Sequence, residues 1–494
     1  MKSSSARTPL SPALLLAGRM VTYLSFLAIL ITTLFPYDIW VEADWMQQIR
    51  SVSWEWGLIR SNIWRDIIAN VVVFIPVGMG LTLTRLAKGG SAARALSGAA
   101  LGGLLLTCFV ENVQIFLVLR ASSLNDIVAN TVGAILGALL VIGIARSRWE
   151  KLSQLLPGQL SARGYALWLL VALGAALLAF DAGVGEARLA GWESNYHLSL
   201  GNEFEGGRPW MGSIRSLRLS TGTLTLTPDS LDLETVRHYD KALHFGKPDS
   251  LSDIFSSGER DWWRSAAPMA RFLNLVQKNQ QFSISLALRS DELRQSGPSR
   301  ILTFSDGFDY RDLTIGQQGD ALAIRLRTRL SGPTAVRPQM YLLGFFVPGQ
   351  WQSLKIDYDR GGIRISGEKE LRSVSFELSP TLSLAYRILP MDYSSLVINS
   401  RFNWLYPLFF AALFFFPVGV SLHLRQNGAK GSRWQTLAGV VLPAILFCLI
   451  AWGLNAGRLP IENWFFSILM TGFSRFYLGA PPQTAGERSP ADAS

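Results

Sequence analysis

The sequence predicts a multi-domain membrane protein: an α-helical transmembrane bundle of about seven spans, eight if a last short run crosses, with a large extracytoplasmic antiparallel β-sandwich inserted between spans five and six. Three observations predict it. Of 494 residues, 49% are hydrophobic and only 17% charged, whereas soluble domains run near a quarter charged. The apolar residues gather into runs of about 20, the length that crosses a bilayer. Between the fifth and sixth runs, residues 183–403 change to short alternating segments broken by Gly, Asp, Pro and Ser, the pattern of antiparallel strands.

Taken in order, the runs cover about 20–36, 66–84, 95–118, 124–145 and 164–181, then 404–424 and 434–454. A shorter run at 463–479 is an eighth span, an interfacial helix or a re-entrant piece. The first run has a basic lead (Lys2, Arg7, Arg19) and passes into Phe35, Pro36 and Tyr37 without a small-x-small cleavage signal, which favours a retained signal-anchor over a cleaved peptide. Basic residues cluster in alternate loops: Arg85, Lys88 and Arg94; Arg146, Arg148, Lys151 and Arg163; Arg425, Lys430 and Arg433. All three clusters are cytoplasmic if the N-terminus is, by the positive-inside rule. The net charge of +10 is explained by those flanks, so no nucleic acid is called for. The loop after span one, with Asp38, Glu42 and Asp44, then faces outward, as does 183–403. The domains expected are 1–182 (helical), 183–403 (sandwich), 404–480 (C-terminal helices) and a disordered tail, 481–494. The location expected is the cytoplasmic (inner) membrane.

The apolar stretches carry groups that lipid penalises. ENVQIFLVLRASSLNDIVAN (111–130) holds Glu111, Gln114, Arg120, Asp126 and Asn130. At about 100° per residue, Asn130, Gly133 and Gly137 fall within about 40° of Asp126. Spans two and four open on the same signature, Asp66-Ile-Ile-Ala-Asn70 and Asp126-Ile-Val-Ala-Asn130, which suggests two related hairpin units. Nine residues separate Glu111 from Arg120; a continuous helix would set the carboxylate about 13 Å below the arginine. A charge at the bilayer centre costs roughly 2.5–3.5 kcal/mol on insertion scales, so a polar network is expected around Glu111. Asp66 and Asp126 have two readings, N-caps in the headgroup region or members of that network. Gly133 and Gly137 suit close helix packing. Cys108 and Cys448 lie inside apolar runs and read as small hydrophobes rather than a disulfide or zinc pair.

The ordered set Asp66, Asn70, Phe74, Pro76, Gly78, then Glu111, Gln114, then Arg120, Asp126, Asn130, Gly133, Gly137 resembles the VanZ-like membrane family over about residues 20–146. The resemblance implies the cell envelope. The family's founding type is linked to glycopeptide-antibiotic resistance, but no reaction is supplied.

In the middle segment, EFEGGRPWMGSIRSLRL (203–219), FSISLALR (282–289) and WQSLKIDYDRGGIRISG (351–367) resemble a concanavalin A-like, laminin-G-like jelly-roll sandwich, with Trp210, Gly212 and Ile214 in its Trp-x-Gly-x-Ile strand. Glucanases of that fold carry Glu-x-Asp-x-x-Glu, which puts paired carboxyls on one strand face. That string is absent here, and Asp232-Leu233-Glu234 lacks the continuation, which favours binding over cleavage. Trp210, Trp262 and Trp263 are candidates for stacking on sugar rings, or else core. Asp306, Asp309 and Asp312 are either a calcium loop or an ordinary turn between the strands ILTF and LTIG. No cofactor is called for. Partners expected are a membrane lipid or lipid-linked glycan, and a polysaccharide or envelope protein through the sandwich. Three functions stand. The first is an envelope protein with an outward-facing polar intramembrane site and a glycan- or protein-binding sandwich, in envelope glycan or exopolysaccharide handling or antibiotic resistance. The second is a membrane enzyme acting on a lipid-linked glycan or phospholipid headgroup, with Glu111 as acid or base and Arg120 on phosphate. The third is an assembly factor of an envelope complex.

Overall fold

The structure is a computed structural model and describes residues 12–39, 45–50, 63–117, 122–144, 148–149, 151, 159–236, 262–295, 297–307, 309–367, 373–389, 395–426, 433–455 and 461–479. Arg120, Arg146, Lys430 and the tail 481–494 lie outside them. The chain divides into two compact units: residues 1–35, 39–177 and 407–494 form one, and residues 36–38 and 178–406 the other.

The first unit is helical. Its elements are α1 (Pro12–Leu34), the short α2 (Trp45–Arg50), α3 (Ile63–Ala87), α4 (Ala92–Gln114), α5 (Leu124–Gly143), most of α6 (Ala162–Val184), most of α9 (Leu405–Phe414), α10 (Phe416–Gln426), α11 (Arg433–Leu454) and α12 (Ile461–Gly479). Among the described residues, seven helical stretches are long and apolar enough to cross a membrane, with α9 and α10 counted as one. The first begins at Pro12, eight residues before the expected start, because Arg19 is buried within the helix and does not end it. The run at 463–479 is helical but is not among the seven. Instead α12 carries a buried polar stripe of Asn463, Ser467, Thr471 and Ser474. Thr471 and Ser474 donate back to the Ser467 and Thr471 carbonyls at 2.8 and 3.0 Å, so these two hydroxyls are satisfied inside their own helix. A side chain on Gly419 of α10 would strike Ser474 and the Thr471 carbonyl, a close crossing of the kind small residues permit.

The second unit is β-rich. An eight-stranded sheet has the order β14 (Ser395–Val397), β10 (Gln339–Leu342), β9 (Ala321–Leu326), β8 (Arg311–Gln318), β7 (Ser299–Ser305), β1 (His197–Leu200), β5 (Trp262–Ser265), β4 (Leu233–Val236). A six-stranded one has the order β13 (Val374–Glu377), β12 (Gly362–Ser366), β11 (Gln352–Asp359), β6 (Gln281–Ser290), β2 (Gly212–Thr221), β3 (Leu224–Leu226), and helix α7 (Ala270–Asn279) precedes β6. The strands that alternation predicted are present, among them β2 (Gly212–Thr221), β3 (Leu224–Leu226), β6 (Gln281–Ser290), β9 (Ala321–Leu326) and β11 (Gln352–Asp359). β7 (Ser299–Ser305) and β8 (Arg311–Gln318) form the expected antiparallel hairpin. One pairing departs from the antiparallel expectation: β10 (Gln339–Leu342) and β14 (Ser395–Val397) run parallel. The chain returns to β14 through three further strands and helix α8 (Pro380–Ile388), and a parallel neighbour requires a crossover of that kind. β6 shows why the sheet buries one face: Phe282, Ile284, Leu286 and Leu288 are buried, and the residues between them are only partly so.

Pro36, Tyr37 and Asp38, which follow α1, belong to this second unit. Asp38 is 1% exposed and accepts a 2.6 Å hydrogen bond from the Ser395 hydroxyl. The Tyr37 and Tyr406 rings meet edge to face at 5.0 Å, and Tyr386 donates to the Ser395 carbonyl at 2.9 Å.

Candidate polar site in the helical unit

Three helices, α3, α4 and α5, bring most of the candidate polar residues together. Asn70 on α3 donates to Asp126 Oδ1 on α5 at 2.7 Å. Asn130, one turn further along α5, donates to the Thr107 hydroxyl of α4 at 2.9 Å, and both residues are buried. Gln114 donates to the Thr33 carbonyl of α1 at 3.0 Å. Asp126 lies within electrostatic reach of both Glu111 and Asp66. The two copies of the Asp-x3-Asn signature are thus used differently. The first Asn bonds the second Asp, while the second Asn turns to Thr107 and leaves Asp66 exposed. Asn130 Oδ1 is buried with no hydrogen-bond partner.

Glu111 is buried, and the helix that carries it ends sooner than the spacing implied. α4 ends at Gln114, and Leu117 already pairs as an isolated bridge with Ile39. No nine-residue helical rise separates Glu111 from residue 120. Instead the last turn of α4 meets the start of α5. Glu111 Oε2 accepts the backbone N–H of Ser123 at 2.8 Å, and the Ser122 hydroxyl donates to the Glu111 carbonyl at 2.6 Å. Ser123 is the N-cap of α5, its hydroxyl accepting from the Asn125 N–H at 3.2 Å. The carboxylate therefore sits at the positive end of the α5 dipole, and Ser122 satisfies one of the carbonyls that a helix end leaves open.

The glycines set how close the helices come. A Cβ on Gly133 or Gly137 would overlap the Val71 or Ile75 carbonyl of α3, and one on Gly78 would overlap the Ala134 carbonyl of α5. Pro76 lies inside α3, between the two Gly-mediated contacts at Ile75 and Gly78. On its other side α3 approaches α1, with Gly80 against Thr22 and Gly18 against Thr84.

The candidates in the β-rich unit fare differently. Trp210 is 1% exposed and donates from its indole N–H to Gln317 at 2.7 Å. Trp262 is 4% exposed, and Trp263 is half-buried in β5 (Trp262–Ser265). Trp210 and Trp262 are core and offer no face to a sugar ring, Trp262 from within β5 and Trp210 from the segment just before β2. Asp306, Asp309 and Asp312 do not form a loop of ligands. Asp306 is exposed and accepts from Asn195 at 2.9 Å, whereas Asp312 points into the unit. It accepts the Glu193 N–H at 2.9 Å and pairs with Arg327 at 3.3 Å. Burial outweighs those partners and pushes its carboxyl up to about 8. Among the described residues, no three His, Cys, Asp or Glu side chains gather where a metal ion would sit.

The sequence reading missed Thr107, Ser122 and Ser123. Thr107 carries no signal within its apolar run. Ser122 and Ser123 do, since Ser before Leu-Asn-Asp is a helix-start signature.

Residues 20–146, which contain all of the polar contacts described for α1, α3, α4 and α5, match the protein family described as VanZ/LLP1. The match is to well under half of the chain and is a similarity of the helical segment. No curated protein and no solved structure matches the sequence or the fold. Together with the seven apolar helices, the match identifies a multi-pass membrane protein with a VanZ-like segment.

Proposed function

We propose that this chain is a cell-envelope protein of the cytoplasmic membrane in which the VanZ-like segment forms a polar site for the headgroup of a lipid-linked or polymeric glycan. The observation that carries this reading is the run of contacts from Asn70 through Asp126 and Asn130 to Thr107, with Glu111 beside them. Lipid offers such groups no partner, and intramembrane ionisable residues are by default candidates for function. The buried, unpartnered Asn130 Oδ1 is an acceptor available to a ligand hydroxyl. The β-rich unit is read as a concanavalin A-like recognition module, which its alternating strands in two mainly antiparallel sheets suit. The N-terminus is cytoplasmic and 183–403 extracytoplasmic in this reading. Thr223→Cys, in a background lacking Cys108 and Cys448, should react with an impermeant thiol reagent in intact cells; reaction only after lysis would reverse the topology.

The site itself is tested by lipid mass spectrometry of the purified protein and its Glu111→Gln and Asn130→Leu variants. A glycolipid or phospholipid that co-purifies with the wild type and is lost from both variants supports the reading. An identical lipid profile in all three, with unchanged thermal stability, would leave it without support. One observation favours a second reading, a purely structural Glu111: Ser123 and Ser122 engage both its carboxylate and its carbonyl. In that case Glu111→Gln changes stability and not the lipid profile.

A further inference from the structure

On one face of the six-stranded sheet, β2, β6, β11 and β12 (Gly362–Ser366) line an open cavity of about 780 Å3. Its floor is built from small side chains, Ser285, Ala287, Ser353 and Ser366, and its walls include Arg215 and Lys355. Register explains the arrangement. Ala287 stands opposite both Arg215 and Ser353, and Ser285 opposite both Arg218 and Lys355. Short central residues between long outer ones leave a trough.

A bulge sets a second arginine, Arg218, on the same exposed face beside the trough. Between Arg215 and Arg218, three steps along β2 match two along β6, and Ser216 takes the left-handed conformation at φ 55°. In a regular strand, residues three apart point to opposite faces. The extra residue restores the parity, so both arginines are exposed while Leu217 and Leu219 are buried. Bulges re-aim side chains in this way, and a non-glycine residue held at positive φ marks a feature the surroundings enforce. The Arg215 guanidinium lies 4.0 Å from the centre of the Trp351 ring, which fixes it over the trough's edge. Lys355 is paired with Asp357 at 3.0 Å. Among the described residues, no carboxylate pairs with Arg215 or Arg218.

We propose that this trough binds a chain of acidic sugars, with carboxylates against Arg215 and Lys355 and ring hydroxyls against the serine floor. The charge complement selects an anion, and Arg presents the planar fork that carboxylates fit. The serines select a hydroxyl-rich ligand over a peptide, since each both donates and accepts, and the floor offers no apolar pocket for a peptide anchor. The proposal rests on the reading of the β-rich unit as a recognition module and adds its ligand class and place.

The test uses the full-length protein in detergent, titrated with oligogalacturonate, with neutral dextran oligomers and with polyglutamate. Oligogalacturonate should bind at least tenfold more tightly than either control, and more weakly as salt is raised. The double variant Arg215→Ser/Lys355→Ser should lose at least tenfold in affinity. Ala287→Tyr fills the floor while leaving every charge in place, and it should lose as much; unchanged unfolding temperatures confirm that both variants fold. Equal binding of polyglutamate, or full binding by Ala287→Tyr, would overturn the proposal in favour of simple charge attraction. Binding indifferent to both variants would overturn the trough while leaving a recognition module elsewhere on the unit. Binding of no glycan at all would remove the glycan side of that reading as well.

Discussion

The helical and β-rich units handle polar side chains in opposite ways. Where α3, α4 and α5 meet, the polar groups are few, neutral or acidic, and bonded across helix boundaries: Asn70 to Asp126, Asn130 to Thr107, Glu111 to the α5 N-terminus. On the six-stranded sheet basic groups gather on one exposed face, and among the described residues two of its arginines, Arg215 and Arg218, pair with no carboxylate. The solvent explains the contrast. Lipid cannot hydrate a polar group, so each must find protein or ligand. Water can, so a sheet face holds cations at little cost and keeps them free for a partner. The same difference governs packing. The helices touch backbone to backbone through glycine, whereas the sheet touches through alternating Leu, Ile and Phe.

The sharpest way to break the comparison is to widen a glycine contact. Gly137→Leu drives a side chain into the Ile75 carbonyl, and overpacking against backbone should cost about 3 kcal/mol or more. Little folded protein should survive in detergent. Gly98→Leu, where a Cβ meets nothing within 4 Å, should behave as wild type, and equal losses in the two would refute the close-packing account.

A smaller effect separates the two kinds of polar contact. A double-mutant cycle on Asn70→Ala and Asp126→Ala should give a coupling of about 0.6–1.7 kcal/mol, as for interhelical pairs in membranes, and it should ignore added salt. The same cycle on the partly exposed Arg264–Glu234 pair of the β-rich unit, 2.6 Å apart, should give about 0.2–1 kcal/mol and shrink as salt rises. Matching salt dependence would erase the distinction. Smallest is the bulge: Ser216→Gly removes the Cβ from a left-handed position and should stabilise the protein by about 1 kcal/mol, read as a raised unfolding temperature. A loss of stability would mean that Ser216 makes a contact worth more than its strain.

What was legible in the sequence follows the same division. The Asp-x3-Asn signatures and the Gly133/Gly137 spacing could be read because a helix fixes angle by residue count, and the structure brings Asn70 to Asp126 and Gly133 and Gly137 to the α3 backbone. The end of α4 could not. Ile115 to Leu119 is an apolar run with β-branched and aromatic members, and periodicity alone does not separate helix from extended chain there. The sequence therefore implied a continuous helix where the chain turns at Gln114. Trp210 was legible as a strand neighbour and not as core, since its facing depends on partners more than a hundred positions away, Gln317 among them. Ser216 looks like any strand residue, and only the register of β2 against β6 exposes the bulge.

The buried cluster around Asp38 has a consequence for the order of assembly. Asp38 and Ser395 are bonded across 357 positions of the chain. At ribosomal rates of roughly 5–20 residues per second, the second follows the first by about 20–70 s. Throughout that interval the Pro36–Asp38 peptide has left the first helix with neither the Ser395 hydroxyl nor Tyr406 to receive it. The earliest-made piece of the β-rich unit is thus among the last to be seated. An excised 183–403 segment would omit both Asp38 and Tyr406, so it would lack the contacts that finish the unit.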